Sequence, residues 1–252
     1  MDSTELSSVT AIPIQIVGMS FYFDPHTAER SKELGLNVFQ FYGLGRGGVL
    51  GNVGLDVVNQ AFTFFNATSI ERMWGGPVPK ADPVATAAAY LQAAYEFADR
   101  TFGAIPTEVL ANFAGASRKV IAGVASGHHL LVDGYRQYEV PTDQVHAAYL
   151  GAILLRELRG CVHIDAVHEV GLSAVDACYL EDPTLFKMHG YGDEEAPNVT
   201  PQLEAKKEQA EVVTSAAMAE CFAVLSDDER GQLAAGALAM FEALKSPVGV
   251  VG

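Results

Sequence analysis

Basic residues are scarce in this chain: 16 lysines and arginines stand against 31 aspartates and glutamates, a formal net charge of −15. A field of that sign repels phosphate backbones and anionic lipid surfaces, because non-specific nucleic-acid binding comes mostly from Lys and Arg. Nucleic acid and membrane are therefore disfavoured as partners, although a local basic patch would lift the first restriction. Charged residues of either sign make up only 19% of a sequence that is 49% hydrophobic, which excludes a disordered chain. Cysteine is also sparse. Cys161, Cys178 and Cys221 are odd in number and show no C-x-x-C spacing, so buried free thiols in a reducing compartment are expected. No uninterrupted apolar stretch looks long enough to span a bilayer, and the acidic N-terminus, MDSTELSS, has no cationic region ahead of an apolar one. A cytoplasmic protein is expected. Neither H-E-x-x-H nor G-x-S-x-G occurs, so the common zinc-protease and serine-nucleophile signatures are absent.

With 252 residues, the chain makes one large domain or two small ones and can bury a sizeable core. Helix signals dominate it. Asp24-Pro25, Asp82-Pro83, Pro106-Thr107 and Thr200-Pro201 each mark a helix start. Thr142 or Asp143 caps a longer helix that Gly171 ends, while Ser173 with Asp176 and Ser226 with Glu229 have capping-box spacing. Residues 188–198, MHGYGDEEAPN, read as a loop. Only Ile12–Val17, Val38–Tyr42 and His129–Val132 tempt as strands. The expected fold is mainly α, a helical bundle over residues 1–190 that carries any ligand pocket, followed by a two-helix unit over 191–252. The last helix, including LAAGALAMFEALK, is apolar enough to pack against a second copy as a homodimer.

Basic side chains interrupt an apolar helical run at residues 154–172, LLRELRGCVHIDAVHEVGL. Arg156, Arg159 and His163 recur at spacings of three and four, and at ~100° per residue they fall on one stripe. Basic groups beside a buried face need partners. The stripe either lines a pocket or feeds ion pairs to Glu157, Asp165 or Glu169. Earlier in the chain, GLGRGGVLGNVG (residues 43–54) carries six glycines, and Gly43, Gly45 and Gly48 satisfy G-x-G-x-x-G. A dinucleotide site would also need a second strand ending in an acid about 20 residues on, which is missing. Two readings remain. The glycines form either a loop whose amides and Arg46 cradle an anion, or a tight crossover where backbones approach closely.

These segments resemble the actinobacterial SalK-like family, whose members are labelled helix-turn-helix proteins. The likeness is carried by Tyr22, Phe23 and Pro25, then by Gly43, Arg46, Leu50 and Gly51, and then by Leu155, Arg156, Glu157, Arg159, Gly160 and His163. It covers roughly residues 20–80 and 145–180 well. Val49 stands where the family has proline. In the family the C-terminal segment resembles a winged helix; here it is short and has no clear recognition helix. Residues 193–252 hold four basic side chains (Lys206, Lys207, Arg230, Lys245) against eleven acidic ones, whereas a groove-entering helix needs Lys and Arg for phosphates. The resemblance thus implies an ancestral fold with a degenerate winged-helix-like end more than a DNA-reading activity.

Arg46, Tyr42, Arg156 and Arg159 are accordingly the first candidates for holding an anionic ligand, since guanidinium groups match carboxylate or phosphate by paired hydrogen bonds. His163 is the candidate catalytic acid or base, its ordinary pKa lying near neutrality. His168 on the same helix and Trp74 among the aromatics complete the set. Cys161 is close to His163 in sequence, but neighbours one or two apart on a helix do not face each other, which favours plain packing. His146, Glu157 and His168 share a helical face, yet eleven residues span ~16 Å, too far for one ion. A metal would need a partner from elsewhere, such as His26, His128 or His129. No metal or cofactor is expected. The aromatics from Phe21 to Trp74 suit a core or the walls of a pocket. The expected function is binding of an anionic or aromatic metabolite, with cofactor-independent acid–base catalysis as an extension. The alternative is a ligand-responsive transcription regulator.

Overall fold

A computed structural model describes residues 1–78 and 80–245. Pro79, in the GGPVP stretch, and residues 246–252, at the end of the expected C-terminal unit, lie outside the described residues. Among the described residues there are thirteen α-helices and no strand. They are α1 (Ser3–Met19), α2 (Pro25–Glu33), α3 (Val38–Gly47), α4 (Leu55–Ala61), α5 (Ala67–Ile70), α6 (Pro83–Phe102) and α7 (Thr107–Gly123), then α8 (Leu130–Tyr135), α9 (Gln144–Glu169), α10 (Ala174–Glu181), α11 (Pro183–Met188), α12 (Pro201–Phe222) and α13 (Asp227–Ala243). The side chains of Asp24, Asp82, Asp143, Ser173, Thr200 and Ser226 all accept from first-turn amides, so the expected starts hold.

The three strand-like segments are helical. Ile12–Val17 lies inside α1, Val38–Tyr42 opens α3 behind an Asn37–Gln40 capping box, and Leu130–Val132 begins α8. Short β-branched and aromatic runs carry no periodicity of their own, and packing on neighbouring helices decides them. Of the two readings of the glycine run, close approach is the one the structure bears out. Residues 43–47 are the last turn and a half of α3 rather than a loop, so their amides are engaged in the helix and form no anion cradle. The glycines serve close approach instead. A Cβ on Gly45 would sit 2.3 Å from the Tyr90 ring, and one on Gly43 would sit 2.6 Å from Met73, so α3 lies directly against α6. Glycine inside a helix costs about 1 kcal/mol relative to alanine, and burial of Tyr90 and Met73 against it offsets that cost.

Helix α9 is central. Residues 147–155 are buried on every side, as expected of a helix apolar all round, and α1, α6, α7, α8 and α12 pack about it. Gly18 lets α1 approach: a Cβ there would lie 2.7 Å from Arg156 Cβ. The segment Ser3–Phe23 is long and apolar enough to cross a membrane by composition, which corrects the expectation of no such stretch. Its Leu6, Ile14, Val17 and Phe21 are nonetheless buried in the core. Helices α12 and α13 join this same core through Met218, Phe222, Leu233 and Met240. The apolar face of α13 that was expected to meet a second copy packs on α1 and α7.

Candidate functional site

A cavity of about 870 Å³ opens beside α9, bounded by α1, α3, α4 and α10–α12. Tyr42, Arg46, Arg156, Arg159 and His163 all line it. The remaining two candidates do not. Trp74 is buried in the core, its ring 3.0 Å from the position a Gly47 Cβ would take, and His168 is exposed near the end of α9. A helix turns ~100° per residue, so five positions carry His168 ~140° round the axis from His163.

The buried end of the cavity is built on one carboxylate. Glu157 is fully buried and receives a bidentate pair from Arg46, Nε to Oε1 at 2.8 Å and Nη2 to Oε2 at 2.7 Å. Arg156 Nη1 also donates to Oε1, at 2.8 Å. Arg46 Nη1 donates to the Tyr42 hydroxyl at 3.1 Å, and its guanidinium lies 4.6 Å from the Phe62 ring centre. Burial alone would raise the Glu157 carboxyl, but Arg46 and Arg156 hold it down at about 2. Burial opposes the charge on both arginines, and Glu157 keeps each of them protonated. Two guanidiniums and one carboxylate leave one unit of positive charge uncompensated. Arg156 Nε and the Tyr22 hydroxyl are buried and find no hydrogen-bond partner among the described residues. Burial pushes the Tyr22 phenol well up, so it stays a neutral donor.

The outer end is looser. Arg159 Nη2 donates to Glu211 Oε2 at 2.8 Å, and Lys207 lies 3.2 Å from Glu181. Thr214 spends its hydroxyl proton on the Ala210 carbonyl, so the 3.0 Å contact to His163 has Nδ1 as donor. That assigns the Nδ1–H tautomer and leaves Nε2 as the basic nitrogen. Burial lowers the His163 pKa against the opposing pull of Glu211, so the imidazole is neutral near pH 7. Elsewhere on the lining, Cys178 Sγ meets His189 Nδ1 at 3.1 Å, and the His189 ring lies 4.0 Å from Phe65. Burial pushes the Cys178 thiol up to about 11 and the His189 imidazole down to about 4, so this pair is a neutral one. Cys161 also lines the cavity, its thiol pushed up to about 12 by burial. All three cysteines are free.

The aromatics divide. Phe21 and Phe41 are core, while Tyr22, Phe39, Phe62, Phe64 and Phe65 wall the cavity. Exposed Ile12, Phe23 and Met188 form its apolar rim. Sequence reasoning missed Glu157 and Tyr22 as site residues, although both lie inside the motifs it singled out. It also missed Glu211, Thr214 and His189, which come from α12 and the turn after α11 and carry no local signal.

The chain matches the helix-turn-helix family over residues 12–248. It belongs to that family. No curated protein and no solved structure matches it. The family span takes in every cavity residue named above, and also α12 and α13. In that C-terminal part all four basic side chains have partners within the molecule. Lys206 donates to the Gly171 carbonyl, Lys207 to that of Leu180, Arg230 to that of Met1, and Lys245 to Glu242.

Proposed function

We propose that this helix-turn-helix family member binds a small metabolite that pairs one negative charge with an apolar or aromatic body. The observation that carries this reading is the Arg46–Glu157–Arg156 cluster. Two guanidiniums share one carboxylate at the buried end of a cavity, leaving a net positive charge and two orphaned donors, Arg156 Nε and Tyr22 Oη. Isolating such a charge from water is costly unless a counter-ion completes it, and a carboxylate facing a guanidinium edge does so with directed hydrogen bonds. The Phe39, Phe62 and Phe65 walls and the Ile12–Phe23–Met188 rim suit the apolar remainder. His163, neutral with Nε2 basic, is the group for acid–base chemistry on such a ligand without a cofactor. Within the family we place the chain among SalK-like proteins of actinobacteria, on the strength of FYFDP, GLGRGGVLG and LRELRGCVH. A cytoplasmic location agrees with its three free thiols.

The test is displacement of 8-anilinonaphthalene-1-sulfonate by aromatic carboxylic acids and by their isosteric primary amides. Acids are expected to displace it at least tenfold more effectively, and R156M is expected to abolish that preference. Equal potency of acid and amide would refute the reading.

The family assignment favours a second reading, a transcription regulator controlled by the same ligand. Its measure is retention on DNA at low salt, where Coulombic attraction is greatest. The four C-terminal cations held by internal partners weigh against it.

A further inference from the structure

Outside the cavity, three metal-type donors converge where the approach to α8 crosses α9. His128 Nε2 and His129 Nε2 each lie 3.1 Å from the same oxygen, Oδ2 of Asp165. The three ligand atoms lie within 4.8 Å of one another. In a tetrahedral zinc site, imidazole nitrogens and carboxylate oxygens at 2.0–2.2 Å from the ion stand ~3.3 Å apart, so an ion enters this arrangement with little movement. The loop that presents the histidines is braced. Gly127 takes φ +89°, where glycine is favoured, and its amide donates to Asp133 Oδ2 at 2.7 Å. Arg136 Nη1 donates to Ser126 Oγ at 2.8 Å and ties down the preceding residue. Such support for the residues that carry ligands keeps the entropy cost of binding low.

We propose that His128, His129 and Asp165 form a site for a divalent transition-metal ion of the zinc class. Two imidazole nitrogens and one carboxylate suit zinc, nickel or copper rather than magnesium or calcium, and a chain of net charge −15 draws cations to its surface. His128 is 69% exposed and Asp165 47% exposed, whereas His129 is only 13% exposed. Solvent therefore reaches the remaining coordination positions. His129 Nδ1 is buried with no partner among the described residues, so one outer hydrogen bond is missing and micromolar rather than nanomolar affinity is expected. The ion would staple the loop before α8 to α9 beside Leu131, Cys161 and Ile164, which line the cavity wall. This inference is independent of what the cavity binds.

A second group, Asp99, Asp143 and His146, provides the control. Asp143 caps α9 and the His146 ring stacks on Tyr95 at 4.7 Å, so those side chains already have structural tasks. Zinc is titrated into the full chain in competition with a chromophoric chelator, with thermal melting as a second readout. The wild type is expected to take up one equivalent and to melt at higher temperature with zinc. H128A, at an exposed position that leaves the core untouched, and D165N should each weaken uptake at least tenfold. H146A should leave it unchanged. Uptake of equal affinity in the H128A/H129A double variant, or no uptake by the wild type, would overturn the proposal.

Discussion

The two ends of the cavity use the same residue types on the same helix, less than two turns apart, and differ in what surrounds them. At the inner end Glu157 is fully buried under α1 and α3, and Arg156 and Arg46, which face the cavity, close over it. At the outer end Arg159 and His163 face Glu211 on α12, which is 38% exposed. Charge in the first place is held by geometry and expensive to disturb; in the second it is screened and cheap. The lesson is that burial of the carboxylate partner, not the pattern of charges along the helix, decides how firmly each arginine is held.

The largest effect is expected from E157Q, which removes the shared carboxylate and leaves two buried guanidiniums facing each other. Breaking a buried pair in this way costs about 3–5 kcal/mol, read as a lowered urea midpoint with m unchanged. R156M separates stability from function at the same end. The Arg46–Glu157 bidentate pair survives and an uncompensated charge goes, so stability should stay within about 1 kcal/mol while affinity for an aromatic carboxylate falls at least tenfold. A variant that lost stability and kept affinity would reverse the roles assigned to the two ends.

Acid should act in two stages. The His189 imidazole is held near 4 against 6.5 in the open chain, so the unfolded state takes a proton that the folded state refuses. Its contribution is complete above about pH 6.5 and declines as pH falls towards 4. Glu157, near 2 against 4.5, stays charged when folded, so its contribution is present above about 4.5 and lost as pH falls towards 2. H189F should reduce the upper limb of stability against pH, of which His163, lowered in the same direction by burial, keeps a part, and leave the lower one. The smallest effect belongs to the outer end: R159A and E211Q should each change stability by less than about 1 kcal/mol. A larger loss would mean that this pair is as shielded as the inner one.

Much of this was legible one residue at a time. Asp24, Asp82, Asp143 and Ser226 announce their helices because a cap is a local bond between a side chain and amides two or three residues on. Arg46, Arg156, Arg159 and His163 stood out because cations are rare in this chain and sit in apolar runs. Trp74 was misplaced because an aromatic ring serves a wall or a core equally well, and only packing on Gly47 shows which. The glycine run stayed open between two readings because glycines that loosen a loop and glycines that tighten a helix contact look alike until Tyr90 and Met73 arrive from elsewhere.

Residue order alone settled that this is a helical protein, where its helices start, and which few cations deserve partners, since those are matters of bonding within a turn or of composition. Tertiary structure alone settled that Arg46 reaches Glu157 across 111 positions, that Glu211 and His189 join the cavity while Thr214 holds His163 from behind, and that the charge there does not cancel. Burial and long-range pairing depend on which helices pack together, and no local interval along the chain encodes that.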